Sequence, residues 1–181
     1  MLDTVPSFCP EMREEYMNKK IILLNGPSSS GKSSLAVALQ KLIADMRSEA
    51  YEIVSIDDFM KVSTSETIYE DDVYEISGEM CEKVRELYSA GNGVIIDHVI
   101  TSERIYDQLI DSMAPDKVDM VHIVCPLDVL LRREKERGDR CVGSAESSYT
   151  YLYPKDGYDA EVNTGVMSSE EAASKIYSEL F

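Results

Sequence analysis

Apolar positions in this chain fall into short runs that alternate with stretches of helical spacing. KKIILLN, residues 19–25, is an apolar run ending at a glycine-rich turn, which predicts a buried parallel strand. Within residues 33–47, Leu35, Leu39, Leu42 and Ile43 recur at helical spacing, so a helix follows directly. The pattern then repeats. YEIVSID from Tyr51 predicts a second strand, residues 78–88 an amphipathic helix ended by the Gly91-Asn92-Gly93 turn, and residues 93–99 a third strand. Residues 102–113 read as helix, 118–125 as a fourth strand, and 127–137 as a charged helix. A short fifth strand is expected at 158–163, followed by a helix over 168–180. Ser168 or Ser169 serves as its N-cap, with Glu170 and Glu171 in the first turn. Such alternation predicts an α/β domain with a mainly parallel sheet.

Two segments break the pattern. Residues 60–76 are polar, acidic and rich in Ser and Thr; residues 138–157 have little periodicity and carry Tyr149, Tyr151 and Tyr153. Both fall where a parallel sheet binds ligands, so a substrate-side segment and a lid are expected, with plain surface loops as the competing reading. One domain over 1–181 is expected, residues 1–18 forming an N-terminal extension.

Charge narrows the partners. A formal net charge of -16 repels nucleic-acid backbones and anionic lipid headgroups, so neither nucleic acid nor membrane is expected as a partner. The dense basic stretch Arg132, Arg133, Lys135, Arg137 and Arg140 is sized for a triphosphate rather than a duplex. Cys9, Cys81, Cys125 and Cys141 are widely spaced and form no CxxC pair, which predicts reduced thiols and a cytoplasmic protein. Residues 1–20 lack the apolar core of a signal peptide, and no apolar run reaches the roughly 20 residues of a membrane span.

The strongest chemical signal is Gly26-Pro27-Ser28-Ser29-Ser30-Gly31-Lys32-Ser33, a complete G-x-x-x-x-G-K-[ST] between a predicted strand and a predicted helix. Glycines let the backbone fold close around phosphates, successive N–H groups point inward, and the helix N-terminus adds positive potential. Lys32 is expected on the β- and γ-phosphates and Ser33 on magnesium, with Ser34 continuing the cradle into the helix. The implied ligands are ATP and Mg2+.

Acidic residues at strand ends supply the remaining parts. Asp57 and Asp58 close the second strand; strand alternation points them in different directions, and Asp57 is favoured as general base, capping of the following turn being the alternative. Asp97 ends the apolar run Val94-Ile95-Ile96 and fits a carboxylate that orients magnesium water. His98 reads as structural rather than substrate-binding, and His122 as a hydrogen-bonded core residue. Arg137 and Arg140, beside Gly138, are candidates to neutralise charge on a transferred phosphoryl group, and Arg133 to stack on adenine or contact phosphate. Pairing with Glu134 and Glu136 along a solvated helix face is the alternative.

Together IILLNGPSSSGKSS, SIDDFM, VIIDHV, RREKERGDRCVGSA and YDAEVNT resemble the chloramphenicol phosphotransferase-like P-loop kinases from about residue 19 to 181. The resemblance implies a three-layer P-loop kinase core with a five-stranded parallel sheet and ATP-dependent phosphorylation of a small-molecule hydroxyl. It matches Asp57 to the general base, Lys32 and Ser33 to the ATP and magnesium residues, and Asp97 to the third-strand acidic residue. Arg133, Arg137 and Arg140 match lid-region arginines, and Asn163 and Thr164 lie where the family's last loop approaches the nucleotide base. An acceptor pocket is expected from residues 60–76 and 99–106. The competing functions are a nucleoside or nucleoside monophosphate kinase and a non-catalytic nucleotide-binding regulatory protein. Oligomeric state is left open.

Overall fold

Five parallel strands form one sheet in a computed structural model that describes residues 19–60, 69–138 and 142–181. They are β1 (Ile21–Asn25), β2 (Tyr51–Ser55), β3 (Gly93–His98), β4 (Val118–Val124) and β5 (Ala160–Asn163), arranged in the order β2-β3-β1-β4-β5. The helices are α1 (Lys32–Arg47), α2 (Glu70–Ser89), α3 (Glu103–Met113), α4 (Leu127–Arg137), α5 (Ser144–Tyr151) and α6 (Ser169–Leu180). The α/β, three-layer, five-stranded architecture expected from the sequence is the one observed.

Alternation along the strands builds the three layers. Ile21 and Leu23 of β1, Val94 and Ile96 of β3, and Val118 and Met120 of β4 share one core with Met80 and Val84 of α2 and Ile105 and Leu109 of α3. The intervening residues, Ile22, Leu24, Ile95, Val121 and Ile123, face a second core with Leu35, Leu39 and Ile43 of α1 and Ala172 and Ile176 of α6. Each fully buried Leu or Ile contributes about 1.5–3 kcal/mol relative to exposure, so the apolar central strands fix the fold before any polar group is counted. All five residues of β1 are buried. A strand hidden on both faces has no polar alternation to show, which is why its run reads as continuous.

Register then places the chemistry. Leu24 pairs with Asp97 and Asn25 with His98, so β1 and β3 end at the same level and Gly26 starts the next loop beside them. The chain moves from β1 outward to β2 and β3 and then crosses to β4 on the other side. That switch point opens a crevice at the carboxyl ends of the strands.

Two expectations are revised. Residues 70–76 continue α2, because Glu70, Asp71 and Asp72 favour a helix N-terminus and the Tyr69 backbone N–H donates to Asp72 at 3.0 Å. Residues 61–68, the rest of that presumed loop, lie outside the described residues. The expected lid segment contains helix α5. No described helix is long and apolar enough to cross a membrane.

Candidate active site

Gly26 has to be glycine because the chain turns directly over β4. A Cβ there would stand 2.6 Å from the Ile123 Cβ. The loop then wraps toward α1 through Ser29 at φ 64° and Gly31 at φ 88°, the left-handed region that L side chains rarely adopt. Lys32 is 6% exposed, and its ammonium donates to the Pro27 carbonyl at 2.8 Å, folding its side chain back along the loop. The Ser29 and Ser30 hydroxyl oxygens are buried with no hydrogen-bond partner. Buried orphan hydroxyls are uncommon, and here both belong to a loop built to receive acceptor oxygens.

Beneath the loop, the Ser33 hydroxyl donates to Asp97 Oδ2 at 2.6 Å, and Asp97 is 4% exposed. One cavity of about 530 Å³ is lined by residues 28–34, Ile56, Asp57, Asp97, Val99, Arg133, Arg137, Thr164 and residues 167–169. The phosphate-loop residues, the third-strand carboxylate and the candidate base therefore share a single space. Asp57 reaches it from a 3-10 turn, Ile56–Asp58, and not from the end of a strand. That turn explains why its neighbour Asp58 is exposed and outside the cavity lining.

Other expected residues are placed differently. Pro27 and Gly26 shape the loop without lining the cavity. The Asn163 side chain is spent on a turn, its Oδ1 accepting the Gly165 N–H at 2.9 Å, and it does not line the cavity; Thr164 does. Arg133 donates to the Thr164 carbonyl at 2.8 Å and to the Ser30 carbonyl at 3.3 Å, and the Thr164 hydroxyl donates to the same Ser30 carbonyl at 2.6 Å. Arg133 thus ties the phosphate loop to the segment after β5 while still facing the cavity. Arg137 lines the cavity; Arg140 lies outside the described residues.

His98 is completely buried, 3.4 Å from the Ser77 hydroxyl. Burial, reinforced by the nearby Lys32 ammonium, pushes it down to about 4 against the opposing pull of the Val99 backbone and Asp57. It is neutral at ordinary pH, which fits the structural reading. His122 is not a core residue; half-buried, it contacts Glu161 at 2.9 Å and stacks on Tyr158 at 4.6 Å between ring centroids.

Three polar residues that shape the site were not picked out as such from the sequence. Asn25, fully buried, accepts the Ile100 N–H at 3.0 Å and donates to the Tyr153 carbonyl and the Tyr158 hydroxyl, each at 2.8 Å. It locks the start of the phosphate loop to the segment after α5. Glu134 and Ser148, which join α4, α5 and the loop, are the others. Their partners are remote in sequence, and no local spacing signals them.

The residues present suit a magnesium-bound triphosphate: two serines with orphan hydroxyls, a left-handed glycine, a helix N-terminus and a serine paired with a buried carboxylate all line the same cavity. Among the described residues no cluster of His, Cys, Asp or Glu has metal-holding geometry by itself. Magnesium needs none, since it binds through one or two protein oxygens plus phosphates and water.

Fold and site together define the P-loop kinase class of α/β domain. Residues 19–181 match the family described as chloramphenicol phosphotransferase-like protein, and the chain belongs to that family. Two curated relatives, from Mycobacterium tuberculosis strains CDC 1551 / Oshkosh and ATCC 25618 / H37Rv, each bear the name "Putative O-phosphotransferase". Both are 29% identical over 182 residues, covering 87% of this chain and 80% of theirs. Among solved structures, the fold resembles the Mycobacterium tuberculosis APS kinase CysC in complex with AMPPNP and APS. That match has a TM-score of 0.72 at 19% identity and covers 90% of this chain and 97% of the other. A gluconokinase from Sinorhizobium meliloti 1021 gives 0.70 at 19% identity over 89% and 91%, and a sugar kinase from Janibacter sp. HTCC2649 gives 0.73 at 18% over 90% and 94%.

Proposed function

We propose that this chain transfers the γ-phosphoryl group of MgATP to a hydroxyl group of a small molecule. The observation that carries this reading is a second carboxylate, Asp57, in the same cavity as Lys32 and the Ser33–Asp97 pair. A site for binding magnesium and triphosphate alone needs the phosphate loop and that pair; a further carboxylate able to take a hydroxyl proton is what a transfer reaction adds.

In this scheme the loop amides and Lys32 hold the triphosphate, and Arg137 faces the phosphoryl group being moved. Asp57 accepts the proton of the acceptor hydroxyl as its oxygen attacks the γ-phosphorus; that O–P bond forms, the β–γ bridging O–P bond breaks, and ADP leaves. Ser33 and Asp97 would hold the magnesium ion, which supplies charge neutralisation on the phosphate oxygens. The 3-10 turn that carries Asp57, and Val99 just past β3, border the acceptor side in this scheme.

A coupled ADP-release assay with MgATP tests the reading against chloramphenicol, other hydroxylated antibiotics, shikimate and nucleosides. Acceptor-dependent ADP release is expected with one chemical class. ATP binding with no acceptor-dependent release across the panel would move the regulatory reading ahead of the catalytic one.

A further inference from the structure

Glu134 is a buried carboxylate that the transfer reaction does not use. It sits in α4, 8% exposed, and accepts two backbone N–H groups, from Gly143 at 3.1 Å and Ala145 at 2.7 Å. Both amides belong to the start of α5, whose N-cap is Gly143 and offers no side chain of its own. The first amides of a helix lack intrahelical partners and carry partial positive charge, so a carboxylate is the natural group to satisfy them. Here it comes from another helix, and it fixes α5 against α4.

One turn along α5 stands Ser148, 6% exposed. Its hydroxyl donates to the Ser144 carbonyl at 2.6 Å, which turns its lone pairs outward, and it accepts the Ser28 N–H of the phosphate loop at 2.9 Å. The Ser28 amide is therefore committed to α5. Arg133, the residue before Glu134, binds the loop at the Ser30 carbonyl. Adjacent residues of α4 thus grip the loop by two routes, Arg133 directly and Glu134 through α5.

We infer that Glu134 is a positioning residue that latches α5 onto the phosphate loop through Ser148, so that helix and loop hold or release as one unit. A local helix cap would steady only the amides it touches. A latch also steadies Ser28, which Glu134 does not touch, and keeps the loop in its phosphate-binding shape. The inference deepens the phosphotransferase reading and rests on it for its nucleotide readout alone.

The test is amide hydrogen exchange by NMR on the full unliganded chain, comparing wild type with Glu134→Gln, Glu134→Asp, Ser148→Ala and the control Glu146→Gln, an exposed site on α5. Glu134→Gln puts an amide donor among backbone donors; exchange is expected to rise about tenfold at Gly143, Ala145 and Ser28. Glu134→Asp keeps the charge and restores part of the protection, Ser148→Ala accelerates Ser28 alone, and Glu146→Gln leaves all three at wild-type rates. Titration with ATPγS should show affinity about tenfold weaker in Glu134→Gln and Ser148→Ala.

Acceleration confined to Gly143 and Ala145 in Glu134→Gln, with Ser28 unchanged, overturns the latch in favour of a local cap. So does unchanged ATPγS affinity in a variant whose Ser28 has been released. If Glu134→Gln does not fold, Ser148→Ala decides: a wild-type Ser28 rate there removes the contact. Failure of the wild type itself to bind ATPγS would instead count against the phosphotransferase reading, while the exchange rates still decide the latch.

Discussion

Asp97 on β3 and Asp119 on β4 are buried almost equally, 4% and 3% exposed, and both lie on strands that flank β1, yet their surroundings differ in kind. Asp119 is met by two cations, Lys20 at 2.7 Å and Lys117 at 2.6 Å, and Lys117 also reaches Asp159 at 2.7 Å. At this edge of the sheet the fold neutralises its own buried charge. Asp97, two levels further along the strands, is met by the Ser33 hydroxyl and faces the cavity. A hydroxyl donates a hydrogen bond without cancelling the charge, so the carboxyl edge keeps a negative group ready for a cation from solution. A buried carboxylate closed by lysines reads as architecture; one left facing a cavity reads as chemistry.

The largest effects should fall on the open edge. Asp57→Asn is expected to lower acceptor-dependent ADP release by at least about a hundredfold while leaving ATP affinity near wild type. Equal activity in that variant would remove Asp57 from the base role. Asp97→Asn should lower transfer by a similar factor and raise the magnesium concentration needed for half-maximal rate. Lys32→Ala should weaken both nucleotide binding and transfer, which titration and kinetics separate.

Next in size is a pH effect seated at the carboxyl end of β3, one residue past Asp97. His98 titrates near 4 when folded and near 6.5 when unfolded, so between those values the unfolded chain binds the extra proton. The His98 contribution to stability is therefore constant above about pH 6.5 and falls by about 3 kcal/mol as pH drops to 4. His98→Gln should flatten that part of the curve in chemical denaturation; an unchanged slope would show that burial does not govern this group.

Asp119→Asn is expected to cost about 1–2 kcal/mol of stability, since its lysines are 31% and 70% exposed at the side chain and can turn to water. Activity per folded molecule should survive. A collapse of transfer in Asp119→Asn with a normal melting curve would blur the contrast with Asp97.

Much of the open edge was legible in sequence because its parts are local. The phosphate loop is one contiguous motif, and Asp97 ends its own apolar run. Residues bonded across the fold were harder to see. Ser148 meets Ser28 over a separation of 120 residues, and Asn25 meets Tyr158 over 133. Local spacing offers Glu134 only as an alternative partner for the cations along its helix, and nothing in it signals that the carboxylate accepts the Gly143 and Ala145 amides of α5. The start of α2 was missed for a packing reason. Gly78 looked like a boundary, but it lies inside the helix where Gln108 of α3 approaches so closely that a Cβ would stand 3.2 Å from its amide nitrogen. The place of Asp57 after β2 predicts its presence in the cavity, although the backbone there is a 3-10 turn and alternation has no part in aiming it.

The central claim, that the carboxyl edge of this sheet transfers phosphoryl groups and the opposite edge only holds the fold, is tested most directly by following label from γ-labelled ATP to acceptor. Wild type, Asp57→Asn and Asp119→Asn would be compared under single-turnover conditions. Label is expected on the acceptor with wild type and Asp119→Asn and not with Asp57→Asn, though all three retain ATPγS. Label appearing at the wild-type rate with Asp57→Asn, or lost only with Asp119→Asn, would contradict the account.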